Sequence, residues 1–220
     1  MITQAFVLKY GESTLPEDQI LQGGDPNRRL PISFCVYLLQ AEGRNVLVDA
    51  GCDTMPGFEM KHFCSLSALL RTLELSPEQI TDVIVTHAHH DHIDGLRNFP
   101  NATVYIQEEA FVKGRKYVPS GANVVTFAQR CTVCEGITAI CIGGHATGSS
   151  VVEFTYCEKT YTIVGDECYT AACVERDLPT GASRDPQKSA AFLQEYAKGN
   201  LLYCHDPATL PHRNGVAPIA

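Results

Sequence analysis

Residues 87–92 read His-Ala-His-His-Asp-His, which puts four of the chain's eight histidines beside an aspartate. Just upstream, Asp82-Val-Ile-Val-Thr86 is a short apolar run of the kind that forms a buried strand. A histidine cluster at the exit of such a strand constrains the fold more than any other feature of this sequence. Imidazole and carboxylate are suited to Zn(II), and also to Fe, Mn or Co. His87 and His89 alternate and can point the same way, while Asp91 and His92 turn towards a second position. His90 falls outside that pattern and is expected to pack or to face solvent. A solvated loop that binds metal adventitiously is the alternative, and the density of histidine argues against it.

The flanking sequence is strand-rich. Residues 32–40 and 45–49 are apolar runs joined by Ala-Glu-Gly-Arg, which reads as a hairpin. Further strands are expected at 82–86, 102–107, 123–128, 131–134, 137–142, 151–156, 160–165 and 201–204. Phe63, Leu66, Leu69, Leu70 and Leu73 recur at helical spacing and predict a helix over about 63–74. A shorter helix is expected near 107–113. A last one runs from Asp185 as N-cap and Pro186 at the first helical position to Gly199, expected in the left-handed conformation. Strand-rich halves that each contain helices suggest two sheets stacked face to face with helices outside.

Composition narrows the function. With 220 residues and 45% hydrophobic side chains, one domain spanning 1–220 is expected. A net charge of −8 disfavours nucleic acid and anionic membrane surfaces as partners. No apolar stretch is long enough to span a bilayer, and the N-terminus lacks the pattern of a signal peptide, so a cytoplasmic location is expected. The 10 cysteines are then reduced thiols. Cys35, Cys141 and Cys157 sit in apolar runs, where free Cys acts as a small buried hydrophobe. Cys131-Thr-Val-Cys134 has the spacing of a zinc half-site, but no second pair completes it, so packing is the better reading. His62 and His212 are expected at the surface, Arg28 and Arg29 in a solvated loop, and the Gly-Gly pairs at 23–24 and 143–144 in turns.

His87-x-His89-x-Asp91-His92 resembles the signature of the metallo-beta-lactamase superfamily. The resemblance extends to His145 after Ile-Cys-Ile-Gly-Gly, Asp166 after Tyr-Thr-Ile-Val-Gly and His205 after Leu-Leu-Tyr-Cys. It implies an α/β (α+β) αββα four-layer sandwich and two divalent metal ions. By resemblance, His87, His89 and His145 hold one ion, Asp91, His92 and His205 hold the other, and Asp166 bridges them. Asp49-Ala-Gly51 resembles the turn whose aspartate supports such a site from behind. Two divalent ions carry more positive charge than Asp91 and Asp166 cancel, which favours an activated water and an anionic tetrahedral intermediate.

Within the superfamily the chain is most similar to the N-acyl homoserine lactone lactonases. Pro31-Ile-Ser-Phe-Cys-Val-Tyr-Leu-Leu before Val46-Leu-Val-Asp-Ala-Gly resembles their first hairpin, and Asp166-Glu-Cys-Tyr169 their bridging aspartate and tyrosine. The resemblance implies lactone opening by metal-bound hydroxide attack on the ring carbonyl, with Asp91, Asp166 and Tyr169 as catalytic residues. It also leaves a homodimer open. The run after His145, Ala-Thr-Gly-Ser-Ser150, differs from the Pro-Gly-His type usual there. Residues 53–75 are also short for a segment that builds an acyl-chain groove and a dimer contact. A glyoxalase II-like thioester hydrolase uses the same metal centre but carries basic residues in a C-terminal helical extension. A metal-bound ligand-binding or sensor protein with little turnover is the alternative of a different class.

Overall fold

Phe34, Val36 and Leu38 belong to one apolar core and Cys35, Tyr37 and Leu39 to another, each at most 3% exposed. Burial on both faces is why this stretch is apolar without interruption. The computed structural model describes residues 1–57, 59–210 and 215–219. In it β2 (Arg29–Ala41) and β3 (Arg44–Val48) form the expected hairpin. They sit in a seven-stranded sheet with β1 (Ile2–Pro16), β4 (Asp82–Val85), β5 (Thr103–Gln107), β6 (Asn123–Phe127) and β12 (Gly215–Pro218), ordered β12-β1-β2-β3-β4-β5-β6. From β3 to β6 the strands run parallel.

The second sheet is an antiparallel meander of β7 (Arg130–Cys134), β8 (Ile137–Cys141), β9 (Ser150–Tyr156) and β10 (Lys159–Ile163). β11 (Asn200–Leu202) adds to β10 in parallel. Val7, Tyr37, Val48 and Ile84 of the first sheet meet Ile137, Val152, Phe154 and Ile163 of the second in the interior between them. On the outer faces, Leu66, Leu69 and Leu70 of α2 (Leu66–Arg71) and Ala110 of α4 (Glu108–Gly114) pack with Leu47, Val83 and Ile106. Cys173 of α5 (Ala171–Arg176) and Phe192 and Leu193 of α6 (Pro186–Tyr196) pack with Ile140, Val151 and Val164. The layers are therefore αββα. Two one-turn helices, α1 (Glu17–Ile20) and α3 (His90–Ile93), complete the helical elements used below.

Several expectations need correction. The helix expected over 63–74 is reduced to α2, because Ser65 caps it by accepting from Ala68 N at 3.3 Å. Phe63 is left outside and exposed. The last helix begins at Asp185 and Pro186 as expected, but Gly199 is not left-handed; Ala197 stays in the right-handed region while the chain runs on into β11. Cys157 is exposed, not buried. It and Glu158 both have positive φ, 49° and 63°, in the tight β9–β10 turn, a geometry that lifts the turn residues off the sheet. Cys141 is only half-buried. The 15-residue strand β1 has no counterpart among the expected strands. Its mixed run Lys9-Tyr-Gly-Glu12 hides it, since the buried Lys9 ammonium is neutralised by Glu12. Cys131 and Cys134 are half-buried against the core between the sheets, in keeping with a packing role. Gly23 lies in a turn at φ 78°, whereas Gly143, at φ 75°, and Gly144 lie in the loop and bend that lead to His145. His62 is exposed in a loop, and His212 lies outside the described residues.

Candidate metal centre

The chain leaves β4 at Val85 and turns through Thr86 to His89 into α3, which carries Asp91 and His92 on one helical turn. His145 follows β8, Asp166 follows β10 and His205 follows β11. All seven side chains converge at one end of the two sheets. Asp166 stands in the middle and divides its oxygens. Its Oδ2 lies 3.5 Å from His87 Nε2 and 3.2 Å from His145 Nε2. Its Oδ1 lies 3.1 Å from His92 Nε2 and 3.0 Å from His205 Nε2. His89 Nδ1 completes the first group, 3.0 Å from His87 Nε2 and 2.9 Å from His145 Nε2. Asp91 Oδ2 completes the second, 3.5 Å from the Nε2 atoms of both His92 and His205.

These donor sets fit divalent cations. Around an ion with bonds of about 2.0–2.1 Å, tetrahedral ligand atoms stand roughly 3.3 Å apart, close to the spacings seen. Despite its neighbours, the buried Asp166 Oδ1 makes no hydrogen bond, because the surrounding nitrogens do not direct a proton at it. A single ring nitrogen, His89 Nδ1, faces two others at contact distance, which one proton cannot satisfy. A cation resolves both conflicts.

The reverse sides of the rings fix which nitrogen points inward. His92 Nδ1 donates to Asp49 Oδ2 at 2.7 Å, and His205 Nδ1 donates to the Ser33 carbonyl at 2.9 Å. His87 Nδ1 lies 3.1 Å from Thr86 Oγ1, which in turn donates to Asp49. Each Nε2 is thereby the ring atom turned to the centre, where a cation would take the place of its proton. Asp49 is held at φ 67°, a strained backbone for a residue with a side chain, and Thr86 N donates to its Oδ1 at 2.8 Å. The Asp49-Ala-Gly51 turn thus supports the site as the resemblance implied.

Protonation follows the surroundings. Burial pushes His87 well below the usual histidine range and takes His145 down to about 4, so both imidazoles are neutral. Burial also opposes charge on His92 and His205, but Asp166 overrides it, with Asp49 and Asp91 helping at His92, and both are raised. Burial works against charge on Asp166, but His92 and then His205 hold it ionised. The negative potential that raises His92 and His205 is one that cations would satisfy. Burial, then Asp166 and Asp91, raise the Tyr169 phenol well above its usual value, so it keeps its proton.

Tyr169 packs between the two groups, its ring 5.7 Å from that of His145 and 5.0 Å from that of His205. With His89, Asp91, Asp166 and His205 it lines a 280 Å³ cavity whose other wall includes Leu15, Ile32, Phe34, Met55 and Pro56. His90 borders the same cavity but bonds elsewhere, with Tyr117 and the Thr54 carbonyl, as expected for the one histidine outside the pattern. Arg28 pairs with Glu17 and Arg29 bonds to Thr14, so neither reaches the centre.

Sequence reading missed Thr86, Ser33 and Glu167. The buried Glu167 accepts from Gly144 N and His145 N, both at 3.1 Å, and from Ser149 Oγ, fixing the loop that carries His145. Burial pushes its carboxyl up to about 7. A carboxylate directly after Asp166 was the available signal for it; nothing local marks Thr86 or the Ser33 carbonyl.

An αββα sandwich with two such donor groups at the end of its sheets defines a metal-dependent hydrolase. The family model of the metallo-beta-lactamase superfamily matches residues 35–204, and the chain belongs to that superfamily. It is 22% identical over 218 residues to the N-acyl homoserine lactonase AiiB of Rhizobium rhizogenes, covering 78% of this chain and 79% of that one. It is 31% identical over 173 residues to the hydroxyacylglutathione hydrolase of Cronobacter sakazakii, covering 77% of this chain and 59% of that one. An N-acyl homoserine lactone hydrolase solved with N-hexanoyl-L-homoserine at its catalytic metal centre superposes with a TM-score of 0.82 at 17% identity. That superposition covers 96% of this chain and 99% of the other. The dizinc quorum-quenching lactonase AidC superposes at 0.74 and 16% identity, covering 98% of this chain and 93% of its own. At such identities the superpositions establish the fold.

Proposed function

We propose that the chain is a binuclear zinc lactonase, a single cytoplasmic domain that opens N-acyl homoserine lactones or related lactones. The observation that carries this reading is the cavity in which an apolar wall of Leu15, Ile32, Phe34, Met55 and Pro56 faces Tyr169 and the histidine–aspartate centre. An acyl chain suits the first side and a ring ester the second. His87, His89 and His145 would hold one ion, Asp91, His92 and His205 the other, with Asp166 shared between them. When bound, such ions supply Lewis-acid polarisation of the carbonyl and a water activated near neutral pH. Asp49 keeps His92 oriented through its Nδ1. The protonated Tyr169 donates a hydrogen bond to the lactone as negative charge develops on it. The apolar wall excludes water from the acyl side. Met55 and Pro56 supply part of that wall although the segment from 53 to 75 is short.

A thioester hydrolase is the second reading, favoured by the 31% identity to a hydroxyacylglutathione hydrolase, of which the chain spans 59%. Measuring kcat/KM of zinc-loaded protein on a long-chain acyl homoserine lactone and on an acylglutathione separates the two. A lactone value at or above about 10⁴ M⁻¹s⁻¹, within the range of dedicated enzymes, is expected. The opposite ranking would transfer the assignment to thioesters. Tight binding of both without turnover would make the protein a sensor.

A further inference from the structure

His89 borders a second cavity that the lactone reading leaves unused. It has a volume of 220 Å³ and is lined by Ala88, His89, Lys113, Ala146, Thr147 and Arg184. Two cations therefore stand beside the metal centre in a chain whose net charge is −8. Neither Lys113 nor Arg184 makes an ion pair among the described residues. Asp185, the acid next to Arg184, lies instead against Lys188 at 4.0 Å. Arg184 also borders the groove lined by Glu108 and Glu109 without pairing to either.

The backbone fixes where both side chains, themselves exposed, leave the chain. Arg184 N donates to the carbonyls of Gly144 and His145 at 3.0 and 3.1 Å, which ties it to the loop carrying a proposed ligand. Lys113 lies on α4, which approaches the histidine segment closely because Gly114 has no side chain. A Cβ there would meet Ile93 Cδ1 at 2.6 Å and Ala88 Cβ at 3.2 Å. The other flank of α4 is equally close to the His145 loop. At Gly148 a Cβ would stand 2.2 Å from Gln107 Oε1 and 2.8 Å from Ala110 N. Gln107 Oε1 caps α4 by accepting from Glu109 N and Ala110 N.

We propose that Lys113 and Arg184 form an anion subsite, so that among the related lactones and esters of that reading those bearing a free carboxylate near the reacting carbonyl are preferred over their neutral counterparts. This rests on the ester-hydrolase reading and adds to it the charge of the substrate. Unpaired cations lining a pocket that opens on His89 meet an anion at small desolvation cost, and the guanidinium can engage a carboxylate through two parallel hydrogen bonds.

The test uses a matched pair of lactones, 5-oxotetrahydrofuran-2-carboxylate and its neutral carboxamide, with zinc-loaded full-length protein. The native enzyme is expected to prefer the acid by at least about tenfold in kcat/KM, with a KM for the acid that rises with ionic strength. In Lys113→Met/Arg184→Met the acid-to-amide ratio should fall to near one, and Arg184→Lys should restore part of it. A ratio near one in the native enzyme, or a ratio that survives the double substitution, would overturn the subsite. Calorimetric titration of the acid into native and doubly substituted protein supplies a readout independent of turnover. If neither lactone is hydrolysed but only the native protein binds the acid, the subsite stands and the lactonase reading falls. If neither protein binds it and neither lactone reacts, the subsite falls as well.

Discussion

Asp166 offers one oxygen to His87 and His145 and the other to His92 and His205, so its charge serves both halves of the centre. Asp166→Asn keeps the volume and removes that charge. Bound zinc measured by elemental analysis should drop from two ions per chain, and kcat/KM should fall by more than the roughly 10–100-fold typical of supporting residues. Tyr169→Phe should keep both ions and lose a smaller factor. A Tyr169→Phe enzyme with unchanged lactone kinetics would remove the hydrogen-bond role assigned to the phenol. The seven converging side chains were all named from the sequence, the 87–92 cluster by its density of histidine and His145, Asp166 and His205 by the resemblance. Thr86, Ser33 and Glu167 were not. Each acts through a hydrogen bond whose partner is defined only once distant loops meet.

The loops that present these side chains are held by backbone contacts between elements. Ala50 N donates to the His92 carbonyl and Gly95 N to the Gly51 carbonyl, both at 2.8 Å, so the turn after β3 and the segment from α3 onward are stitched together. Gly95 sits so close that an added Cβ would lie 2.1 Å from Ala50 O, a backbone atom that cannot swing aside. Gly95→Ala should therefore cost about 1–3 kcal/mol in denaturant unfolding and disturb Asp49 and His92 together. A midpoint unchanged from the native protein would show that the two segments are not rigidly coupled. Element identity was readable where apolar residues ran without interruption, as in β2 and β4, or where a cap marked the start, as Asp185 and Pro186 do for α6. It was not readable in β1, whose Lys9 and Glu12 neutralise each other inside the protein, nor at Phe63, where helical spacing continues past the Ser65 cap.

His87, His89, Asp91 and His92 come from the seven-stranded sheet, and His145, Asp166 and His205 from the five-stranded one. Bound ions would therefore tie the two sheets across their shared end. A ligand held only by the folded state stabilises it, by about 2.7 kcal/mol at a hundredfold excess over its dissociation constant. Chelation should lower the thermal midpoint of the full-length protein, and added zinc should restore it. A midpoint indifferent to chelation would mean that the sheets hold their register without the ions.

Sequence by itself marked the 87–92 cluster, the strand-rich halves and the main hairpin, because periodicity and residue chemistry are local properties of the chain. His145, Asp166 and His205 came from the resemblance to a known family. Tertiary structure added the distances by which Asp166, expected from the resemblance to bridge, divides its oxygens between two histidine groups. It alone decided that Thr86 and Ser33 orient the rings, and that Lys113 and Arg184 stand unpaired beside His89. Each of those facts is a distance between segments far apart in the chain. Such distances are set by how two sheets and the glycine-thinned contacts of α4 pack, which no local pattern encodes.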